Sequence, residues 1–410
     1  MNNSVLIPQY VSDFRCVGTS CVDTCCSGWT VHLDKETYKK YKSADLKRPA
    51  LKLRSHIEST PEGRRSTTAF GRIKMSVDGR CPFLNHDRLC EVQATFGASM
   101  LSRTCAQYPR LTGNYDGVGQ RLLTPSCPEA ARLMLSSRDA MKINLQTWQE
   151  MPGHASKPHL TTTAIDPDPV VQVRLRFVDF IRARGELPVW QRLSAMGLAC
   201  AAFDQLTDLA ERKIFVTQLE DDALLNRFVE IAGLSKIDVN NQLKLFSRLF
   251  ALKECRNVAF SEFQRSTLDE IIKLFEQRTN EGERDDETME AHYQIGLRSL
   301  GMFLSDRSHV IENYIIHLML TDAFPFNASS WRHAFYKVFA KFGIVRLMLA
   351  IKAACKKNEL SEAEFQSCII VFTRFYEHNP HFKKTVEQLL EQFESLSIGT
   401  IGSLIRDDCI

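Results

Sequence analysis

The chain has 410 residues, 44% of them apolar and 25% charged, with a formal net charge of +3. That is the balance of an ordinary soluble globular protein, long enough for two or three domains with ample core. The opening MNNSVLIPQYVSDF has no basic segment followed by an apolar run, which argues against a signal peptide. No stretch approaches the roughly eighteen uncharged apolar residues of a membrane span. The nearest, GIVRLMLAIKAAC, is broken by Arg346 and Lys352, so the expectation is a cytoplasmic protein with no transmembrane segment.

Charge is uneven along the chain. Residues 1–150 carry 21 Lys+Arg against 14 Asp+Glu, and the remainder carries 31 against 35, so a basic front half (+7) precedes a mildly acidic back half (−4). Aromatic residues are not interleaved with the basic ones as a nucleic-acid platform requires, and no nucleic-acid partner is predicted.

In chain order, the first helical signal is DKETYKKYK, with Asp34 placed as its N-cap. FGRIKMSVDGRCPFLNHDRLCEV alternates and contains DG and NHD turn signals, which predicts a small hairpin flanking Cys81 and Cys90. Short helices follow near ATFGASMLSRTCAQY and in PEAARLMLSSRDAMKINLQTWQEM, where Pro128 stands at a helix start. Residues 1–150 thus read as an irregular cysteine-rich module with little strand. The proline-rich MPGHASKPHLTTTAIDPDPV, residues 151–170, reads as a linker.

Beyond it, VVQVRLRFVDFIRAR, PVWQRLSAMGLACAAFDQLTDLAERK, NNQLKLFSRLFALKE, STLDEIIKLFEQR and TVEQLLEQFESL place apolar residues at i, i+3, i+4 and i+7. Residues 171–410 are therefore expected to form an all-helical domain, with an exposed polar loop at 280–291. The fold class is mainly α.

The thirteen cysteines concentrate at the front. Cys16, Cys21, Cys25, Cys26, Cys81, Cys90, Cys105 and Cys127 lie in the first 127 residues, and only Cys200, Cys255, Cys355, Cys368 and Cys409 follow. Close spacing lets several soft sulfurs converge on one ion or cluster, and a reducing compartment keeps them from forming disulfides. Cys–Pro at Cys81 and Cys127 is a pattern of iron–sulfur runs. Zinc ribbons and fingers use Cys-x2-Cys pairs, which this chain lacks, although eight cysteines suffice for two zinc sites. An iron–sulfur cluster and structural zinc are the two metal readings. The later cysteines sit on apolar helical faces or at the terminus and read as core or bystanders.

FRCVGTSCVDTCCSGW, CPFLNHDRLCEV and RTCAQYPR resemble the signature of the flagellin lysine-N-methylases, and of a wider group of Cys-rich bacterial proteins described as zinc- or iron-chelating. CVDTCCSGW and the late ENYIIHLMLTDAFPF (312–326) resemble the methylases specifically, so the likeness extends over both halves. It implies methyl transfer from S-adenosylmethionine to the ε-amine of surface lysines on flagellin, and a 4Fe–4S cluster held by cysteines drawn from the eight at the front. The radical-enzyme spacing Cys-x3-Cys-x2-Cys is missing, since Gly28 stands where its third cysteine would be. Direct displacement needs only a neutral lysine aligned with the sulfonium methyl.

Among further residues, Tyr108 and Pro109 read as a turn fixing Cys105, Trp29 as a core plug, and His32 and His86 as exposed. Tyr314, His317, Leu318 and Phe324 read as one packed helical face, with Glu312 and His317 as secondary catalytic candidates and Asp322 and Pro325 ending the helix. Glu220, Asp221 and Asp222, or Glu281, Glu283, Asp285, Asp286 and Glu287, are candidate attractors for a lysine-bearing protein surface. A non-enzymatic zinc- or iron-binding adaptor with a helical partner-binding domain is the alternative. Oligomeric state is not legible.

Overall fold

The computed structural model of the chain describes residues 4–44, 51–115, 118–147, 167–182, 186–250, 262–275, 286–326, 328–355, 360–378, 382, 384, 386–388 and 398–407. It is mainly α-helical, as the periodicity predicts.

The front third contains β1 (Ser4–Pro8), α1 (Gln9–Asp13), β2 (His32–Leu33), α2 (Lys35–Ala44), β3 (Ile57–Ser59), β4 (Gly71–Ile73), α3 (Glu91–Phe96), α4 (Arg103–Gln107), β5 (Arg110–Tyr115), β6 (Val118–Leu123), α5 (Pro128–Leu135) and β7 (Ile143–Thr147). Strand is more plentiful than the sequence suggests. One sheet runs β5-β6-β1-β7 and a second β2-β4-β3. In the first, β1 is parallel to β6, with Leu6 opposite Gln120, and antiparallel to β7, with Leu6 opposite Leu145. Val5, Leu6 and Ile7 are all buried, so β1 shows no alternation, and its partners are more than a hundred residues away.

The expected hairpin around Cys81 and Cys90 shrinks to β4 plus two isolated bridges, Ser27 with Arg80 and Leu84 with Cys90. The predicted helix starts hold. Asp34 Oδ1 accepts a hydrogen bond from Thr37 N at 2.9 Å, and Pro128 is the first residue of α5.

The rest is helical: α6 (Pro167–Arg182), α7 (Val189–Gln205), α8 (Leu209–Gln218), α9 (Asp222–Gly233), α10 (Val239–Phe250), α11 (Glu262–Phe275), α12 (Asp286–Leu304), α13 (Ser308–Thr321), α14 (Trp331–Cys355), α15 (Glu362–Phe372), a π-turn at Thr373–Glu377, and α16 (Ile398–Ile405). Local signals place several ends. Asp208 caps α8, and Ser361 with Glu364 forms a capping box on α15. The polar loop expected at 280–291 is helical from Asp286 onward, and 280–285 lie outside the described residues. The linker read at 151–170 also lies outside them up to 166, and α6 begins at Pro167.

Among the described residues, two apolar cores result. The larger unites the helices of the back half with Tyr10, Phe14, Leu122, Leu123, Cys127, Ala130, Met134 and Met141. The smaller is built between Val31 and Val92, from Leu33, Tyr38, Tyr41, Leu53, Ile57, Ile73, Cys81, Phe83 and their neighbours. The line between cores therefore encloses a compact cysteine module within the front third, while both flanks of that third pack with the helices.

At the centre of the large core, α14 is buried on all sides from its start to Ala353, apart from a few partly covered positions. Arg346, which interrupts its apolar run, is 1% exposed and pairs with Asp407 at 3.1 Å and Gln242 Oε1 at 2.6 Å. A buried guanidinium requires such partners, and here they pin α16 to the array. No described helix is long and apolar enough to cross a membrane.

Candidate functional site

The small core brings four of the predicted ligands to one rim. Cys81 belongs to it, and Cys26, Cys90 and Cys105 pack against it half-buried. Backbone bonds set this arrangement: Cys81 N donates to Cys26 O at 2.8 Å, and Gly28 N donates to Gly79 O at 3.0 Å. The turn after the cysteine pair needs Gly28, whose φ is +79°. A third cysteine of the radical-enzyme spacing would have to adopt that left-handed conformation. Ser102 Oγ accepts from Cys105 N at 3.2 Å, capping the short helix that carries Cys105.

Cys16, Cys21, Cys25 and Cys127 are not part of that rim. Cys16 and Cys25 are exposed, Cys21 is half-buried, and Cys127 is buried at the N-cap of α5 in the large core. The two sets meet at the adjacent pair, where the Cys25 and Cys26 sulfurs are 3.9 Å apart. Trp29 Nε1 donates to Cys25 O at 2.8 Å, and its ring lies 5.6 Å from that of Tyr108. Tyr108, followed by a cis bond to Pro109, shares a hydrogen bond with Ser126 Oγ at 3.1 Å. Trp29, which packs on the small core, and Tyr108, which ends the short helix carrying Cys105, thus form one aromatic wall beside the cysteine pair. His32 is exposed, as expected, and so is His86, which pairs with Asp87 at 3.2 Å.

Burial dominates the thiol chemistry. It pushes Cys81 up to about 12 and Cys105 up to about 11, with neighbouring thiols adding to the effect. Cys127 rises to about 11 for the same first reason. Cys25 goes the other way: the hydrogen bond with Cys26 lowers it, crowding by the surrounding atoms opposes, and the Arg374 guanidinium helps. Burial keeps most of these sulfurs protonated without a cation, and a soft metal would reverse that preference. Among the described residues, no three Cys, His, Asp or Glu side chains stand in metal-holding geometry. The fit of the chain to a cluster lies in its donor set: eight uncrosslinked thiols, four of them around one small core.

The late motif serves a different purpose. All residues of α13 from Val310 to Leu320 are buried, so the expected one-sided stripe is apolar packing all round. Glu312 pairs with Arg192 at 2.7 Å, both nearly inaccessible, which occupies this catalytic candidate in a structural ion pair. Asn313 Nδ2 donates to Met134 O at 2.9 Å and Ser137 O at 2.8 Å, docking the end of α5. His317 lies between Tyr10 OH at 3.5 Å and Thr321 Oγ1 at 3.2 Å, and burial lowers it to about 4.

Beside it, Lys341 Nζ meets Asp322 at 2.7 Å and Glu377 at 3.0 Å. Burial pulls this ammonium down, but the two carboxylates outweigh it and hold the lysine charged. A cleft of about 390 Å³ opens where Arg138, Asp139, Asp179, Arg182, Glu312 and Asn313 come together.

Of the acidic attractors, Glu220 is exposed, Asp221 caps α9 through Ala223 N at 3.0 Å, and Asp222 pairs with Arg176. Glu281, Glu283 and Asp285 lie outside the described residues, and Asp286 and Glu287 open α12. Cys200 and Cys368 are fully buried as core residues, Cys355 is exposed, and Cys255 and Cys409 are outside the described residues. Sequence reasoning missed Asp23, Gln264, Lys341, Arg374 and Glu377. Their only signal is the partner each meets, hundreds of residues away in several cases.

These features define a class, a helical protein whose thiol-lined accessory module is set into its front third. The family model for the FliB lysine N-methylase C-terminal domain matches residues 176–404, more than half of the chain, and the chain belongs to that family. Over 145 residues it is 37% identical to the lysine-N-methylases of Salmonella choleraesuis strain SC-B67 and Salmonella typhimurium strain LT2. That alignment covers 35% of this chain and 35% of the length of each of these relatives. Over 144 residues it is 38% identical to the flagellar biosynthetic protein FliU of Salmonella muenchen, covering 34% of this chain and 82% of that protein. No solved structure matches.

Proposed function

We propose that this protein is a cytoplasmic lysine N-methyltransferase that transfers a methyl group from S-adenosylmethionine to ε-amines on the surface of flagellin, with front-module cysteines holding a 4Fe–4S cluster. The observation that carries the transferase reading is family membership over residues 176–404, supported by relatives whose names are lysine-N-methylase and flagellar biosynthetic protein. Cys26, Cys81, Cys90 and Cys105 are the preferred ligand set, because they alone share the rim of the small core. When bound, the cluster supplies soft bonds that tie these four segments into one unit.

In the transfer itself, the lone pair of a neutral lysine amine forms the new N–C bond as the methyl–sulfonium bond breaks. S-adenosylhomocysteine leaves, and the amine's proton passes to solvent. No role in that step is assigned to Glu312, which is paired with Arg192, or to His317, which is enclosed by Tyr10 and Thr321. Exposed carboxylates such as Glu220 on the acidic helical part would attract a lysine-bearing surface.

The test is incubation of the anaerobically purified full chain with S-adenosylmethionine and flagellin, read by mass spectrometry. Methyl-lysine on flagellin supports the reading. Its absence, from a colourless protein containing zinc, supports the metal-binding adaptor instead.

A further inference from the structure

Asp23 lies inside the cysteine-rich segment yet is only 5% exposed, while its neighbour Val22 is 63% exposed. Side chains from far along the helical part cover it. Arg374 Nη1 donates to Asp23 Oδ2 at 2.6 Å, and Gln264 Nε2 donates to the same oxygen at 3.1 Å. The guanidinium reaches further: its Nε donates to Ser126 O at 2.9 Å and its Nη2 to Thr24 O at 3.5 Å. One side chain thus holds the residues just before Cys25 and the residue just before Cys127. A planar fork with five donors can serve three acceptors on two segments at once, which an ammonium on a flexible stem does poorly.

The segment bearing Arg374 is itself braced. It is the π-turn Thr373–Glu377, an irregularity of the kind that often marks functional positions. Thr373 Oγ1 donates to Ile369 O at 2.9 Å, and Glu377 pairs with Lys341, which also holds Asp322 at the end of α13. The rear of the turn is therefore locked into the large core, and its front carries the arginine.

We propose that Arg374 is a positioning residue for the cysteine centre, docking the Asp23–Cys26 and Ser126–Cys127 segments onto the helical array so that the thiol set assembles only against that array. The inference rests on the metal reading above where it concerns cluster content, and on geometry alone where it concerns the placement of the thiols.

The experiment compares the full chain with its Arg374→Gln, Arg374→Lys and Asp23→Asn variants, all purified anaerobically. Iron and sulfide per chain, the visible and paramagnetic spectra, and the far-ultraviolet melt are recorded for each. Arg374→Gln and Asp23→Asn should keep the helical melt, hold less than half the parent's iron and change its spectrum, with Arg374→Lys intermediate. In metal-stripped samples, Cys127, buried in the parent, should react with a maleimide at least about fivefold faster in Arg374→Gln, because losing a buried charged hydrogen bond favours local opening.

Parent-like iron, spectra and labelling in Arg374→Gln would overturn the proposal. A parent without iron removes the cluster reading but leaves the labelling comparison decisive. Should Arg374→Gln not fold, the isosteric Asp23→Asn decides by the same measurements.

Discussion

The two cores of this protein are stabilised differently. The large one buries whole helices, α13 and α14 nearly on all sides, and places its charged residues in closed pairs such as Arg192 with Glu312. The small one assembles two- and three-residue strands, the ten-residue α2, shorter helices and about ten apolar side chains, with cysteines along its edge. So few buried apolar residues contribute little against the entropy of ordering that much irregular chain. Size explains the difference in composition. A helical array of this size can hold itself together, whereas a module of this kind gains most from bonds that its thiols can form.

The sharpest way to break the comparison is to remove a thiol from each core. Cys81→Ala should lose bound metal and the order of residues 31–105 together, since structural metal binding is commonly worth on the order of 10 kcal/mol of folding free energy. Cys200→Ala, in the large core, should cost only about 1 kcal/mol and leave metal content unchanged. Full metal content and an unchanged melt in the first variant would remove the assignment of Cys81.

Next in size, Arg192→Met should destabilise the helical part by about 3–5 kcal/mol in denaturant unfolding, because it strands Glu312 as a buried charge. A loss below 1 kcal/mol would mean that water reaches the pair, by the usual worth of exposed ion pairs.

Acid should act on the large core through His317. The native imidazole stays neutral down to about pH 4, while the unfolded chain takes up the proton near 6.5. The unfolded state therefore binds more protons between these values, and stability falls as pH drops through that window, by about 3 kcal/mol. His317→Gln should flatten this part of the stability–pH curve, and an unchanged slope would place the acid sensitivity elsewhere.

Also in the helical part, Gly296→Ala should cost about 2 kcal/mol or more as overpacking. The new methyl would fall 1.9 Å from Ala350 O, where α12 presses on α14. A melt equal to the parent's would show that these helices can separate freely.

The helical part was largely legible because amphipathic period and capping residues are local. DKETYKKYK began at Asp34 and the α5 helix at Pro128, as their residues dictate. What escaped is non-local. β1 pairs with β6 across more than a hundred residues, and its SVLIP lacks the alternation that reveals a strand. The cysteines were visible as a group, yet their division depends on which core each segment joins: Cys81 enters the small one and Cys127 the large one. Glu312 and His317 looked chemical because the sequence shows polar residues in an apolar helix, while the partners they meet, Arg192 and Tyr10, lie more than a hundred residues earlier.

The measurement that bears most directly on the account is amide hydrogen exchange on the anaerobic full-length protein before and after a chelator strips its metal. Uptake should rise throughout residues 31–105 and stay unchanged in α7, α13 and α14. Equal uptake before and after stripping, or a rise spread evenly over both cores, would contradict a metal-dependent module set against a self-sufficient helical array.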